Sequence, residues 1–390
     1  MAGEWRDTTL GDFLTLQRGF DLPRNNRVVG PFPVIASTGP VGTHAEAMVK
    51  GPGVVIGRSG SIGGGQYIRG NFWPLNTTLW VKDFKGNDPR FCYFLLKSID
   101  FARFNAGSGV PTLNRNHIHP LPVSVPPLKE QEAIACILGA FDDKIELNRR
   151  MNRTLEATAH SIFKSWFLDF DPVHAKAAGQ QPHALKPEIA ALFPDAFEDS
   201  ELGEIPRGWR FSKLGTIADV NWGDTNTTKK SYVQRGYLAF SAKGPDGFLP
   251  YYDYDRVGVI VSAIGANSGY TWLARGKWSC IKNTIRCWAT STQISTEYLF
   301  FATHGENIWP LRGSAQPFIS QTDARNLNVL HPANGISKKF GTIVEPMFAK
   351  MEANKNETRT LAMLRDTLLP KLISGELRVP DAERIVGRSI

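Results

Sequence analysis

Cysteine is scarce in this sequence. Four stand among 390 residues (Cys92, Cys136, Cys280 and Cys287), and no two form a C-x-x-C pair. Neither a disulfide framework nor a structural zinc site is indicated. Long apolar runs are missing too, since none approaches the ~20 residues a helix needs to cross a bilayer. The opening "MAGEWRDTTL" has neither the basic nor the apolar region of a signal peptide. The expectation is a cytoplasmic, reducing setting without membrane contact.

Catalytic signatures are absent as well. An adenine methyltransferase needs a glycine loop for its cofactor and an Asn/Asp-Pro-Pro-aromatic motif at the target base. The one Pro-Pro, Pro126-Pro127, lies between Val125 and Leu128, and "FNAGSG" (Phe104 to Gly109) has the wrong spacing for such a loop. "GRSGSIGGG" lacks the Gly-Lys-Ser/Thr of a phosphate-binding loop. A nuclease clusters carboxylates around metal, yet Asp195, Asp246 and Asp381, each after a proline, have no acid-x-Lys nearby. His117-x-His119 is a lone pair between prolines and reads as structural. No catalytic residue, metal or cofactor is expected.

Charge is present and unevenly placed. The net charge is +8, but Asp171 to Pro206 carries seven acids against Lys176 and Lys186, which leaves +13 on the rest. An excess of that size suits a polyanionic partner, most simply nucleic acid.

The sequence also repeats itself. "LNRRMNRTLEATAHSIFKSW" (Leu147 to Trp166) is answered by "ANKNETRTLAMLRDTLLPKL" (Ala353 to Leu372), with Arg153 and Arg359 206 positions apart. Trp5, Leu10-Gly11 and Gly19 are answered by Trp209, Leu214-Gly215 and Gly223, each 204 on. "GVVIGRSGSIG" matches "GVIVSAIGANSG" at 205, and "GSGVPTLNRNHIHPLPV" matches "GSAQPFISQTDARNLNV" at 206. Asn76-Thr77 pairs with Asn283-Thr284 at 207 on this reading. One unit of about 165 residues is therefore used twice.

Each copy opens with short β-branched and aromatic runs punctuated by Gly, Pro and Asn. A short helix interrupts them at "PRFCYFLLKSI" and at "STEYLFFATH", and each copy ends in a long helix, Lys129–Leu168 and Ser337–Ser374. Counting by sevens from Ile134 gives Phe141, Asn148, Leu155 and Ile162, with Leu138, Ile145, Asn152, Ala159 and Trp166 four residues after each. The second helix gives Phe340, Met347, Asn354, Leu361 and Leu368, with Val344, Met351, Thr358, Arg365 and Leu372. Such a seam wants another helix against it, and two in one chain can serve each other. Asn148 and Asn354 hold the same slot near the helix centres. An antiparallel pair with an internal two-fold would bring them together and fix register. Pro370 is expected to kink or shorten the second helix.

At this point the chain resembles the DNA-specificity subunits of type I restriction–modification systems, over nearly its whole length. The likeness rests on "PLPVSVPPLKEQEAIACILGAFDDKIELNRRMNRTLEATAHSIFKSWFLDFDPV", on "PEIAALFPDAFEDSELGEIPRGW" and on "LLPKLISGEL". It implies an α+β chain in which two pseudo-two-fold-related, β-rich target recognition domains are separated by two long antiparallel helices forming a coiled coil. The segments would be recognition domains at 1–128 and 207–336, spacer helices at 129–170 and 337–374, an acidic linker at 171–206 and a tail at 375–390. The implied partners are double-stranded DNA read as a bipartite, non-palindromic target, two methyltransferase subunits on the helices, and restriction subunits through the complex. The second copy has Ser337-Lys338 where the first has Glu130-Gln131, so the two methyltransferase contacts need not be equal.

Loop residues suited to reading DNA fall into clusters. In the first copy they are Arg58, Ser59, Ser61 and Gln66 around a glycine-rich turn, then Asn105, Ser108, Thr112, Asn114 and Arg115. In the second they are Thr225, Asn226, Lys229, Lys230, Lys243, Asn267, Ser268, Arg312, Ser314, Gln316 and Ser320. Arginine suits guanine edges and Asn or Gln suits adenine. A DNA-recognition subunit is favoured over a DNA-acting enzyme, which lacks its motifs, and over a coiled-coil adaptor whose β-rich domains bind protein or glycan.

Overall fold

The apolar runs GVVIG and GVIVS, which stand at the same place in each repeat, become strands covered on both faces. In the computed structural model, which describes residues 4–183 and 185–387, all five residues of each are buried. Successive side chains of a strand point to opposite faces. Val54 and Ile56 therefore join a core with Phe91 and Leu95, while Val55 packs with Ile35 and Phe72 on the other side. Val259 and Val261 join Tyr298 and Leu299, and Ile260 joins Phe240 and Trp278.

The chain forms two compact units, one taking the residues up to Arg149 and from Asn354 onward, the other Arg150–Ala353. Unit 1 begins β1 (Arg6–Thr9), α1 (Leu10–Phe13), β2 (Thr15–Arg18), β3 (Phe32–Ala36), β4 (Gly39–His44) and β5 (Gly53–Gly57). It continues β6 (Gly63–Ile68), β7 (Trp73–Pro74), β8 (Thr78–Asp83), α2 (Pro89–Ser98), α3 (Arg115–Ile118) and β9 (Pro122–Val125). Its sheets run β2-β8-β5-β6, β4-β3-β7 and β1-β9. α2 starts where Asp88 accepts the Phe91 amide and Pro89 supplies a preset first turn.

The long helix α4 (Leu128–Phe167) follows. The acidic stretch expected as a linker is folded into unit 2, as α5 (Asp171–Ala177), α6 (Pro187–Ala190) and the hairpin β10 (Phe197–Ser200)–β11 (Gly203–Pro206). Val173, Ile189, Phe193 and Ile205 bury there, which gives an otherwise polar segment its reason to fold.

Unit 2 then repeats the order of unit 1: β12 (Arg210–Lys213), α7 (Leu214–Ile217), β13 (Ala218–Trp222), β14 (Tyr237–Ser241), β15 (Gly244–Leu249) and β16 (Tyr254–Asp255). After β17 (Gly258–Ser262), β18 (Thr271–Ala274), β19 (Lys277–Cys280) and β20 (Thr284–Ala289) come α8 (Thr296–Thr303), α9 (Gln321–Asn326) and β21 (Asn328–His331). The sheets are β13-β20-β17-β18, β15-β14-β19-β16 and β12-β21. Apart from the two-residue β16, this is the topology of unit 1. The structure also corrects one pairing of the repeat. Thr78 and Thr284 are the equivalent residues, because their hydroxyls donate to Leu75 O (2.7 Å) and Ile281 O (2.6 Å) at the same strand start. The offset there is 206, and Asn283, at φ 71°, belongs to the preceding turn.

Helices α10 (Ile336–Ile373) and α11 (Val379–Gly387) complete the described chain. α4 and α10 pair antiparallel in each unit. In unit 1 Asp142 bridges Arg365 at 2.6 Å and Asn148 Nδ2 donates to Glu357 at 2.8 Å. In unit 2 Asn152 donates to Met351 O at 3.2 Å, and Phe163 lies 5.9 Å from Phe340 between ring centroids. Asn148 and Asn354 are both 1% exposed in the seam. Leu155 and Ile162 are only half-buried, whereas Phe163 and Phe167 turn inward onto α8 and Phe340. The seam thus drifts as α4 gains a domain to pack on. Pro370 does not shorten α10, which runs on to Ile373. It stands in the last turn, where a missing donor costs one bond, and its own carbonyl accepts from Ser374.

The Glu-Gln pair that opens α4 faces inward. Gln131, 2% exposed, accepts the Asp88 amide (3.1 Å) and donates to Asn87 (3.0 Å) and Pro126 O (2.9 Å). Glu130 bridges Arg378 at 3.2 Å. Ser337 does the corresponding work on α10, accepting the Ser295 amide (3.2 Å) and donating to Gln293 O (3.0 Å). Two different residues therefore pin a long helix to the start of its neighbour, α2 or α8. The sequence difference reflects two ways of making one internal joint.

Candidate nucleic-acid interface

The glycine-rich turn and the later loop are far apart in each repeat, and backbone pairing makes them one surface. In unit 1 the Leu113 amide donates to Arg58 O (2.8 Å) and the Gly60 amide to Pro111 O (2.9 Å). In unit 2 the Ile319 amide donates to Ala263 O (2.8 Å) and the Gly265 amide to Pro317 O (2.9 Å). Gly60 and Gly265 sit at φ +82° and +100°, with open space where a side chain would start. Only glycine adopts that backbone freely. The turn is thereby exposed at a point where backbone can approach a ligand.

In unit 1 this surface borders a cleft of about 870 Å³. Its lining carries Arg18, Arg58, Lys82 and Arg115 against one acid, Asp21, with Gln17 among them. Arg58 Nη1 donates to Asn76 O (3.2 Å) and Arg115 Nη1 reaches Leu16 O (3.5 Å), so both side chains are held at the cleft. Arg18 contacts Asp21 loosely, at 3.6 Å and well exposed. Several predicted residues shape the loop: the Asn105 side-chain Oδ1 accepts the Gly107 and Thr112 amides (both 2.9 Å), and the Thr112 hydroxyl donates to Val110 O (3.0 Å). Asn114 caps α3 by accepting the Asn116 amide at 3.0 Å. Gln66 reaches Ala36 O at 3.4 Å. Ser59 pairs with Thr112 as an isolated bridge, while Ser61 and Ser108 are exposed near it.

His119 settles the His-x-His motif of this copy. Its Nε2 accepts the Leu16 amide at 3.1 Å, so the ring is neutral there. Burial, with Arg115 and Lys85 nearby, holds its pKa below the ordinary histidine value. His117 is exposed. Among the described residues no group of three or more His, Cys, Asp or Glu side chains could hold a metal ion.

Unit 2 puts two of its four predicted cations, Lys229 and Arg312, into pairs. Lys229 bonds Asp246, which also accepts from Ser241 (2.8 Å) and Tyr232 (2.9 Å). Burial would raise the Asp246 carboxyl, but those bonds hold it below the carboxylate range. Arg312 grips Asp323 with two bonds, 2.6 and 2.7 Å, and Ser320 both caps α9 and bonds the same carboxylate (2.6 Å). Asn226 lends its amide to Asp224 (2.9 Å). Asn267 donates to Ala242 O (3.2 Å), tying its turn to the strand end beside Lys243. The Ser268 hydroxyl lies 2.8 Å from both Gly265 O and Pro317 O. Thr225, Lys230, Lys243, Ser314 and Gln316 are exposed. Beside Ser268 opens a hollow of about 340 Å³ lined by Tyr270, Thr271, His304, Glu306 and Trp309, with no Lys or Arg in its lining.

Sequence reading missed Gln17, Arg18 and Lys82. They stand on strands, where alternation suggests scaffold, and pairing of Gln17 with Trp80 brings β2 beside β8. The signal available was the repeated Gly19, one residue past Arg18. A Cβ there would lie 2.2 Å from Leu75 O, so strand and turn meet at that point.

Comparison with known proteins gives a consistent picture. Residues 2–157 match the family described as the type I restriction modification DNA specificity domain. The type I restriction enzyme MjaIX specificity subunit of Methanocaldococcus jannaschii is 24% identical over 338 residues, 79% of this chain and 74% of that protein. The HindI specificity subunit of Haemophilus influenzae is 25% identical over 360 residues, 74% of this chain and 77% of that one. The crystal structure of a type I restriction–modification S subunit from M. genitalium matches with a TM-score of 0.67 at 18% identity. It covers 95% of this chain and 96% of that one, a likeness of fold.

Proposed function

We propose that the chain is a type I restriction–modification specificity subunit, which the family match over residues 2–157 and the relatives 24–25% identical support, and that it reads a bipartite, non-palindromic DNA target, one half-site per unit. The observation that carries this reading is the repeat itself. One strand order occurs twice, each time with a glycine turn zipped to a later loop, and the two loop sets share almost no side chains. One topology with two chemistries suits two different short sequences. Phosphate contacts position such a surface and contacts to base edges specify it.

The long helices act as the ruler in this proposal. At 1.5 Å per residue, the 40 residues of α4 extend roughly 60 Å. That is ample to set half-sites about one duplex turn apart, ~34–36 Å centre to centre. The exposed helix faces dock two methyltransferase subunits, and restriction subunits join through that complex. The chain supplies recognition and leaves the chemistry to its partners, in the cytoplasm where the DNA is. No helix among the described residues is long and apolar enough to cross a membrane.

The test is the methylome of cells expressing the chain with its methyltransferase partner. Two specified half-sites around a fixed unspecified gap are expected. A single continuous motif, or a palindrome, would overturn the reading.

A further inference from the structure

The two units place different charge at equivalent positions of the same surface. Unit 1 lines its cleft with Arg18, Arg58, Lys82 and Arg115. Strand pairing and the loop bonds identify their counterparts as Trp222, Ala263, Trp288 and Gln321. All four cations are replaced by uncharged residues. Unit 2 also neutralises cations of its own: Lys229 on Asp246, Arg312 on Asp323, and Arg286 on Asp219 at 2.8 Å. Arg286 and Arg256 lie over the Trp288 ring, 4.0 and 4.6 Å from its centroid. Lys230, Lys243 and Lys282 remain exposed in unit 2, and Arg325 is tied to Val220 O (3.1 Å) and Asn221 (3.0 Å) where Arg115 reaches Leu16 O in unit 1.

We propose that the unit 1 cleft is the main electrostatic anchor of the complex on the phosphate backbone, while unit 2 holds its half-site with fewer unpaired cations and more through hydrogen bonds and aromatic surface. The proposal rests on the DNA reading above and adds an inequality to it. A cation that neutralises a phosphate releases a counterion, so each such contact steepens the fall of affinity with salt. A cation already paired with a carboxylate releases little. Most of the salt dependence therefore comes from one half of a two-fold repeat, and encounter with DNA begins at unit 1.

The test uses the full chain with its methyltransferase partner and a duplex carrying the methylated target. Affinity is measured from 50 to 200 mM salt for wild type and two triple variants. Arg18→Gln/Lys82→Gln/Arg115→Gln should flatten the log–log slope by about 2.7, at roughly 0.9 per contact. Over that range wild type then loses about 40-fold more affinity than the variant. Lys229→Gln/Lys230→Gln/Arg312→Gln should flatten the slope by less than about 1. Arg18→Lys/Arg115→Lys should keep the wild-type slope, which a merely structural role would not predict. Equal flattening by the two triples overturns the anchor. Failure of the wild-type complex to bind duplex DNA would instead overturn the DNA reading itself.

Discussion

Where the long helices meet the domains, unit 1 packs mainly aliphatic side chains around Phe141, and unit 2 packs mainly rings. Ile134, Leu138, Leu368 and Leu372 fill the first joint. Phe163, Trp166, Phe167, Tyr298, Phe301 and Phe340 fill the second, with ring centroids mostly 5–6 Å apart. Ile134 and Phe340 are equivalents, 206 apart. The same divergence marks the helix starts, Gln131 against Ser337, and the proposed DNA-facing surfaces, where four unit 1 cations have uncharged counterparts in unit 2. A duplicated fold keeps its strand order and its buried pattern, because these carry the topology. It is free to exchange the side chains that fill the space or face a ligand.

That comparison can be broken at its packing first. Phe340→Ala should destabilise unit 2 by about 3–5 kcal/mol and Ile134→Ala unit 1 by about 2–5 kcal/mol. Phe340→Ala should be the larger in denaturant unfolding. An equal or smaller loss would mean that the ring cluster is not the tighter joint. The helix starts come next. Gln131→Ala removes three hydrogen bonds and Ser337→Ala two, so losses of about 3 and 2 kcal/mol are expected at ~1 kcal/mol each. Pull-down of the methyltransferase by folded Gln131→Ala should be unchanged. Lost pull-down with unchanged stability would make the Glu-Gln pair a partner contact after all.

A smaller effect is expected in the seam. Asn148 and Asn354 are buried in the seam; Asn148 Nδ2 donates to Glu357 (2.8 Å), while its side-chain Oδ1 accepts no hydrogen bond. Replacing both with Leu should stabilise the pair by about 1 kcal/mol and raise Tm by about 2–4 °C. The cost should be register, read as mixed gap lengths in the methylome. A lower Tm would show that the asparagines stabilise the pair as well as orient it.

The smallest effect is on pH. Burial lowers the pKa of His119 in unit 1 and of His304 and His331 in unit 2; Arg115 adds to it at His119, His160 at His304 and Arg210 at His331. A histidine whose folded pKa lies below its unfolded value of about 6.5 stabilises the fold above that pH. The contribution is lost as pH falls from there toward the folded pKa. Tm should therefore decline below about pH 6.5, and unit 2, with two such rings, should decline further than unit 1. A Tm that rises on acidification would contradict the sign.

The repeat and its two long helices were legible because they depend on spacing. Offsets of 204 to 206 placed equivalent turns and strands, and the heptad gave helices whose ends fall within a residue of those seen. The side-chain partners were not legible. Nothing local says that Arg312 is spent on Asp323 or Lys229 on Asp246, since each pair is closed by the fold. Asn114 and Ser320 read as polar loop residues and are helix caps, a role set by the helices after them. Arg18 and Lys82 were hidden by the strand alternation that made the strands recognisable.

The central claim is that each unit carries its own half-site and the helices set the gap. An inserted turn beside Phe163 would fall in the ring cluster, so the insertion belongs where one unit passes to the other. Four residues added after Arg149 and four after Ala353 lengthen both helices by about 6 Å. The methylome of that variant is predicted to show both half-sites unchanged, with a gap one or two base pairs longer. An unchanged gap, or altered bases in either half-site, would contradict the account.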